Sequence, residues 1–279
     1  MMAVSISDAL ALHAQLETDS PRLDVECLLC HVLACEPVYL RTWPEKQLSP
    51  EQQTAFSALF KRRQLGEPVA HLCGKRAFWT LNLNVSPLTL IPRPDTELLV
   101  ETILDLPLQI QASILDLGTG TGAIALALAS ERPEWQVCAT DFLPEVVALA
   151  QENARIHHLQ NVSVLQSNWF ASLGGQRFDL IVSNPPYIDP DDRHLNEGDV
   201  RFEPRSALTA DNHGLADLDH IIRQAPAYLK PKGWLVLEHG YDQAQAVQAL
   251  FKESGYQAIQ TKQDYGQQDR MTMAQYTLV

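Results

Sequence analysis

The chain predicts an α/β protein: a doubly wound, largely parallel sheet preceded by a small helical domain and a short β linker. Three observations carry that expectation. Short apolar runs at residues 114–117, 137–140, 162–165, 180–183 and 234–237 are mostly separated by helical stretches such as 123–130 and 144–156, the alternation of a parallel sheet covered on both faces. A glycine-rich turn, Gly118-Thr119-Gly120-Thr121-Gly122, joins the first run to the first of those helices. The N-terminal part instead carries helix caps and helical spacing. The expected boundaries are residues 1–74 for the helical domain, 75–90 for the linker and 91–279 for the sheet domain.

Composition sets the class. With 279 residues, 46% hydrophobic content and a net charge of -13, the chain has enough apolar surface for at least one full core and reads as soluble and acidic. A surface that embraces a phosphate backbone is usually basic, so this balance opposes tight non-specific nucleic-acid binding. No stretch reaches the roughly 18 apolar residues of a membrane span. Met1-Met2-Ala3-Val4-Ser5 lacks the basic start and apolar run of a secretory signal, so a cytoplasmic location and reduced cysteines are expected.

In the N-terminal region Ser7 is read as capping a segment that carries Leu10, Leu12 and Leu16, and Ser20-Pro21 as a cap followed by proline at the first helical position. Ser49-Pro50-Glu51-Gln52 repeats the device as a capping box, ahead of Phe56, Leu59 and Phe60, and Gly66 with Pro68 ends that helix. Lys61-Arg62-Arg63 is read as a solvated helix face. From Phe78 to Val85 the pattern alternates, with Phe78, Thr80 and Asn82 opposite Trp79, Leu81 and Leu83, which reads as one or two short strands. Ile91-Pro92-Arg93-Pro94-Asp95 is stiffened by its prolines. Residues 271–278 read as a final strand.

The glycine turn lets a ligand approach the backbone closely and points helix N–H groups at it. About twenty residues on, Asp141 ends the second strand, placed to accept hydrogen bonds from ribose hydroxyls. Gly118, Gly120 and Ala123 also satisfy a dinucleotide fingerprint. Asp116 separates the two readings, because a carboxylate just before the turn repels a pyrophosphate and favours the sulfonium and ammonium of S-adenosyl-L-methionine. At an effective dielectric near 20 that Coulomb effect is about 4 kcal/mol at 4 Å.

The most specific string is Asn184-Pro185-Pro186-Tyr187, directly after the fourth run. In a doubly wound sheet the carboxyl ends of the strands form the ligand crevice. An amide nitrogen is a poor nucleophile because its lone pair is delocalised. The Asn184 side-chain oxygen and the Pro185 carbonyl, accepting from its two N–H bonds, would hold it for in-line attack on a methyl group. The prolines keep those acceptors still, and Tyr187 offers a flat face to a planar target. The target is thereby narrowed to an amide or exocyclic amine nitrogen.

Together, Asp116-Leu117-Gly118-Thr119-Gly120-Thr121-Gly122 and Asn184-Pro185-Pro186-Tyr187 resemble class I methyltransferases acting on amino or amide nitrogens. Leu90-Ile91-Pro92-Arg93-Pro94-Asp95-Thr96-Glu97, Arg201-Phe202-Glu203-Pro204 with Ala207-Leu208, and Leu237-Glu238-His239-Gly240 narrow the resemblance to the protein-(glutamine-N5) methyltransferases of bacterial peptide-chain release factors. It runs essentially end to end. It implies a seven-stranded methyltransferase sheet whose last strand is antiparallel, and a helical domain that recognises the substrate. The implied substrate is the glutamine of the Gly-Gly-Gln motif in class 1 release factors, with S-adenosyl-L-methionine as donor, S-adenosyl-L-homocysteine as product and no metal. The resemblance assigns Gly118, Thr119, Gly120, Thr121, Gly122 and Asp141 to the cofactor, and Trp169 to the flank of its adenine. Asn184, Pro185, Pro186 and Tyr187 go to the substrate glutamine, with Asn184 near the cofactor as well. Asn168 stands where related sequences often carry aspartate, and Asn212-His213-Gly214 replaces a more usual Gly/Asp-rich turn, a change read as neutral.

Two strings are read as decoys. Cys27-Leu28-Leu29-Cys30-His31 spells a haem-attachment motif, but Leu23, Cys27 and Cys30 share a helical face and read as buried small hydrophobes. His239 beside Glu238 is read as structural rather than as a base. The rival activity is methylation of adenine N6 or cytosine N4 in DNA or RNA, which demands an extruded base and a basic cleft; a nucleic-acid substrate is therefore not expected. A binding protein with a vestigial site is opposed by the intact Asp116, Asp141 and Asn184.

Overall fold

The computed structural model describes residues 4–277. The chain divides into two compact units, Met1–Lys75 with Arg193–Phe202, and Arg76–Asp192 with Glu203–Val279.

The smaller unit holds α1 (Ile6–Ala11), α2 (Pro21–Leu33), α3 (Pro37–Thr42), α4 (Pro50–Gln64) and α5 (Val69–Cys73). The cap of α1 is Ser5, not Ser7: its hydroxyl accepts from Asp8 N at 3.1 Å and Asp8 reaches back to Ser5 N at 3.0 Å. An acid three residues along makes that box reciprocal, which Ser7 cannot match. Ser49 and Gln52 form the expected box on α4. Ser20 begins α2, but its hydroxyl goes to Asp24 instead of the backbone.

The buried stripe of α2 is Val25, Leu28 and Leu29, packed with Ile6, Leu40, Phe56 and Phe60. Leu23 is 59% exposed and Cys27 and Cys30 are only half-buried, so the face expected from the cysteine string is rotated away from the core. Burial still pushes the Cys30 thiol up to about 12, with Cys35 adding to the effect, which keeps it protonated and inert.

The basic run also splits. Lys61 and Arg62 are exposed, as expected, but Arg63 is buried. Its Nε donates to Asp24 at 2.8 Å and its Nη1 to Asp199 at 2.7 Å, with the Gly66 and Glu67 carbonyls completing the set. Arg201 donates to the Leu65 carbonyl at 2.9 Å. These two arginines explain why residues 193–202, far along the chain, belong to the helical unit.

The larger unit begins with β1 (Lys75–Phe78) and β2 (Leu81–Asn84), a two-stranded sheet. Phe78, Leu81 and Leu83 are all buried, contrary to the alternation read from sequence. The two-residue connection Trp79-Thr80 puts Phe78 and Leu81 on one face, and Trp79 takes φ 55° to turn the chain. Then follow α6 (Glu97–Leu104), β3 (Ser113–Leu117), α7 (Ala123–Glu131), β4 (Gln136–Asp141), α8 (Pro144–Ile156), β5 (Val162–Gln166) and β6 (Phe178–Ser183). The chain ends with α9 (Asp211–Gly214), α10 (Ala216–Gln224), β7 (Leu229–Glu238), α11 (Ala244–Glu253), β8 (Gln257–Gln263) and β9 (Asp269–Gln275).

Seven strands form one sheet in the order β5-β4-β3-β6-β7-β9-β8. β3 through β7 run parallel, and the last strand, β9, is antiparallel to both neighbours. Of the residues expected in that last strand, Leu278 lies outside the described residues. Ile114 packs with α7 on one face, and Leu115 and Leu117 pack with Ile221 and Phe251 on the other, so both faces are covered as the continuous apolar runs require.

Strand order reverses at β3, which opens a crevice beyond its carboxyl end and that of β6. The register there pairs Leu117 with Ser183, and the Ser183 hydroxyl ties the pair by donating to the Leu117 carbonyl at 2.7 Å. Gly118 and Asn184 are therefore the first residues past two aligned strand ends.

Candidate active site

A cavity of about 420 Å³ opens at this crevice, within the range of small-molecule sites. Gly118, Thr119, Gly120 and Thr121 form one wall, and Asp141, Asn168, Trp169, Asn184 and Pro186 contribute others.

The glycine turn needs its glycines. Gly118, Gly120 and Gly122 take φ of 66°, 55° and 88°, and a Cβ on Gly122 would stand 3.0 Å from the Leu126 side chain. Asp116 braces the turn from behind. Its Oδ2 accepts from the Thr119 hydroxyl at 2.6 Å and from Ala125 N, in the first turn of α7, at 3.2 Å. Its Oδ1 is buried without a partner, and burial pushes the carboxyl up to about 7. The sequence treats Asp116 as a charge facing a ligand; the structure makes it first a brace, with one oxygen unspent.

Asp141 ends β4 and accepts from Gly120 N at 3.0 Å and Leu143 N at 3.3 Å. Burial raises its carboxyl, and those backbone donors work the other way. Trp169 is held at φ 48° by a left-handed turn, with its carbonyl bonded to the Ser167 hydroxyl at 2.7 Å. Its ring lies 3.6 Å from where a Gly118 Cβ would be, an ordinary contact distance, so the ring packs directly over the turn.

Of the tetrapeptide, Asn184 and Pro186 line the cavity. Pro185 is buried, and the Tyr187 ring packs against the second sheet face, its hydroxyl donating to Glu238 Oε1 at 3.0 Å. Asn184 Nδ2 donates to the Thr96 hydroxyl at 3.2 Å.

Several residues support the site through partners distant in sequence. Glu203 accepts from Ile91 N at 2.8 Å and pairs with Arg93, which fixes the proline-stiffened wall. Gly214, at φ 79°, backs onto the tetrapeptide so closely that a Cβ would fall 2.0 Å from the Tyr187 carbonyl oxygen. Gln243 Nε2 donates to that same carbonyl at 2.9 Å. Three successive left-handed residues, Asn212, His213 and Gly214, bring this turn against the tetrapeptide. His239 is fully buried, its ring nitrogens bonded to the Gly240 carbonyl and the Thr272 hydroxyl, each at 2.8 Å. Burial also lowers its pKa, a structural histidine. Among the described residues no group of three or more His, Cys, Asp or Glu is set to hold a metal ion, and no helix is long and apolar enough to cross a membrane.

Comparison with known proteins fixes the family. Residues 109–277 match the methyltransferase domain and residues 6–74 the PrmC N-terminal domain. A release factor glutamine methyltransferase from Shewanella oneidensis is 54% identical over 93% of this chain and 91% of its own length. The chain belongs to the release factor glutamine methyltransferase family. A second member, from Vibrio cholerae, is 53% identical over 99% of this chain and 98% of its own length. In three dimensions, a methyltransferase from Pyrococcus furiosus aligns with a TM-score of 0.56 over 80% of this chain and 100% of its own, at 18% identity, a likeness of fold. The family's enzymatic class, methyl transfer, is thereby this chain's class.

Proposed function

We propose that the chain transfers a methyl group from S-adenosyl-L-methionine to the side-chain amide nitrogen of the glutamine in the Gly-Gly-Gln motif of class 1 peptide-chain release factors, leaving S-adenosyl-L-homocysteine. The observation that carries this reading is the register of β3 with β6, which sets the glycine turn beside Asn184 at the mouth of one cavity. The fit to the donor rests on that cavity's volume, its glycine turn, and the Asp141 carboxylate and Trp169 ring on its walls.

S-adenosyl-L-methionine supplies, when bound, an electrophilic methyl on a sulfonium. Residues 118–122 would hold it through the close approach that their glycines allow, Asp141 would accept from the ribose hydroxyls and Trp169 would flank the adenine, with Asn168 beside it. Asn184 Oδ1 and the Pro185 carbonyl accept from the two N–H bonds of the target amide and aim its nitrogen at the methyl. Pro186 keeps that backbone rigid, and Tyr187 fixes its far end. Attack would form the N–C bond as the S–C bond electrons leave on sulfur, and the alkylated nitrogen, now acidic, would lose its proton to water, so no strong base is needed. Orientation of this kind supplies roughly 7–11 kcal/mol.

The helical unit, residues 1–75 with 193–202, is read as recognising the release factor, the short strands within 75–90 as a linker and the remainder of 91–279 as the catalytic domain. The reaction is assigned to the cytoplasm, with no nucleic acid as direct substrate. Incubated with labelled methyl donor, purified release factor is expected to take up label and to lose it when its Gly-Gly-Gln glutamine becomes alanine. Label on DNA or RNA with the release factor left unlabelled would instead establish the base-methylating reading.

A further inference from the structure

Tyr187, the last residue of the tetrapeptide, is held at both ends by one short stretch of chain. Its hydroxyl donates to Glu238 Oε1 at 3.0 Å, where β7 ends. Its carbonyl accepts from Nε2 of Gln243, the residue before α11, at 2.9 Å. The same Nε2 donates to the His213 carbonyl at 3.2 Å, and Gln243 Oε1 accepts from Gly240 N at 2.8 Å. A side-chain amide has one acceptor oxygen and two N–H donors. Both donors are therefore engaged, and the Gly240 N–H, which can only donate, settles which end of the amide faces Tyr187.

We propose that Gln243 is a positioning residue for methyl transfer, fixing the Tyr187 peptide and through it the acceptors of Asn184 and Pro185. The prolines at 185 and 186 lock φ but leave ψ free, so the Pro185 carbonyl can still swing with its peptide plane. At the near end of this segment Ser183 is tied by its hydroxyl to the Leu117 carbonyl at 2.7 Å. Gln243 ties the far end, and Gly214 closes the space beside the same Tyr187 carbonyl. Residues 184–186 are thus strung between two fixed points. A misplacement of about 1 Å in reacting groups can cost about a hundredfold in rate, which is why an anchor that touches no reactant matters.

The packing separates this role from general support. The buried residues of α11 are Ala244, Val247 and Phe251, whereas Gln243 is only half-buried. The core is filled by the helix, and the loop is held by its cap. The inference rests on the reading of the tetrapeptide as the grip on the target amide.

Gln243→Glu and Gln243→Met test it, each compared with wild type for kcat on purified release factor across pH, for S-adenosyl-L-homocysteine affinity by calorimetry, and for Tm. Glutamate keeps the shape and can still accept from Gly240 N, but its carboxylate has no proton for the Tyr187 and His213 carbonyls. Methionine keeps the length and loses all three bonds. Both variants are expected to lose at least about tenfold in kcat, with affinity kept within about twofold. A protonated glutamate regains one donor for Tyr187. The ratio of its kcat to that of wild type is therefore expected to rise as pH falls, while the methionine ratio stays flat. Titratable groups on the joined segments are Asp189, Asp211, His213, Glu238, His239 and Asp242; the methionine variant carries all of them and reports any titration of theirs. Wild-type kcat in both variants, affinity lost in step with kcat, or the same pH response in both overturns the inference. If Gln243→Glu fails to fold, the split between kcat and affinity in Gln243→Met decides alone. Wild type that labels no release factor glutamine sinks the proposed function itself, whereas active wild type with indifferent variants sinks only this anchor.

Discussion

Asp116, behind the glycine turn, and Asn184, on the cavity wall, each support a separate measurement. The Asp116 carboxyl sits at about 7 in the folded chain against an ordinary 3.8, so the folded protein binds that proton more tightly than the unfolded one. Its contribution to stability is whole below about pH 4 and is lost as pH rises through about 7. Without ligand, Asp116→Asn should therefore gain on wild type as pH is raised from about 4 to about 8, by on the order of 4 kcal/mol at most. Denaturant titrations of both proteins at the two ends check this, and a constant gap would refute it. Asn184 tests the division of labour: Asn184→Ala should cut kcat at least about tenfold while S-adenosyl-L-homocysteine binding stays within about twofold. Isothermal titration alongside turnover separates the two, and equal loss of both would mean the role assigned to Asn184 is wrong.

The elements were legible in proportion to how local their causes are. The turn at residues 118–122 and the Asn184-Pro185-Pro186-Tyr187 corner are written in glycines and prolines, which restrict the chain wherever they stand. β8 escaped detection because Gln257–Gln263 is an edge strand, mostly exposed, that shows no apolar alternation. Thr96, Glu203, Glu238 and Gly214 escaped as working parts because each acts on a partner far away in sequence: Thr96 meets Asn184 across 88 positions and Glu238 meets Tyr187 across 51. Gly214 gives the sharpest test of such an element. Gly214→Ala adds a methyl in a left-handed conformation, at a cost of about 1–3 kcal/mol, and collides with the Tyr187 carbonyl. Turnover should fall further than stability does, as kcat and denaturation midpoints measured on the same preparation will report; an unaltered kcat would show that the corner tolerates the push.

Two units with separate cores are not expected to melt as one. Every residue lining the 420 Å³ cavity belongs to the larger unit. A ligand at about 100 times its dissociation constant adds about 2.7 kcal/mol to whatever binds it. Hydrogen exchange with S-adenosyl-L-homocysteine should accordingly slow in β3, β4 and α7 first. Arg63→Met should instead leave Asp24 buried without its cation, at a cost of about 3 kcal/mol, and quicken exchange in α2 and α4. Protection that rises and falls in both units together would show a single cooperative block.

Because Arg63 reaches Asp199 and Arg201 reaches Leu65, the helical unit is closed by a strand of chain that leaves after Asp192 and comes back at Glu203. A recombinant hybrid spliced at residue 75 would import helices lacking their clasp at residues 193–202 and strand a foreign clasp on the host. Exchange between relatives has to move the two stretches together, which makes residues 193–202 travelling companions of the N-terminus rather than neighbours of the segments that flank them.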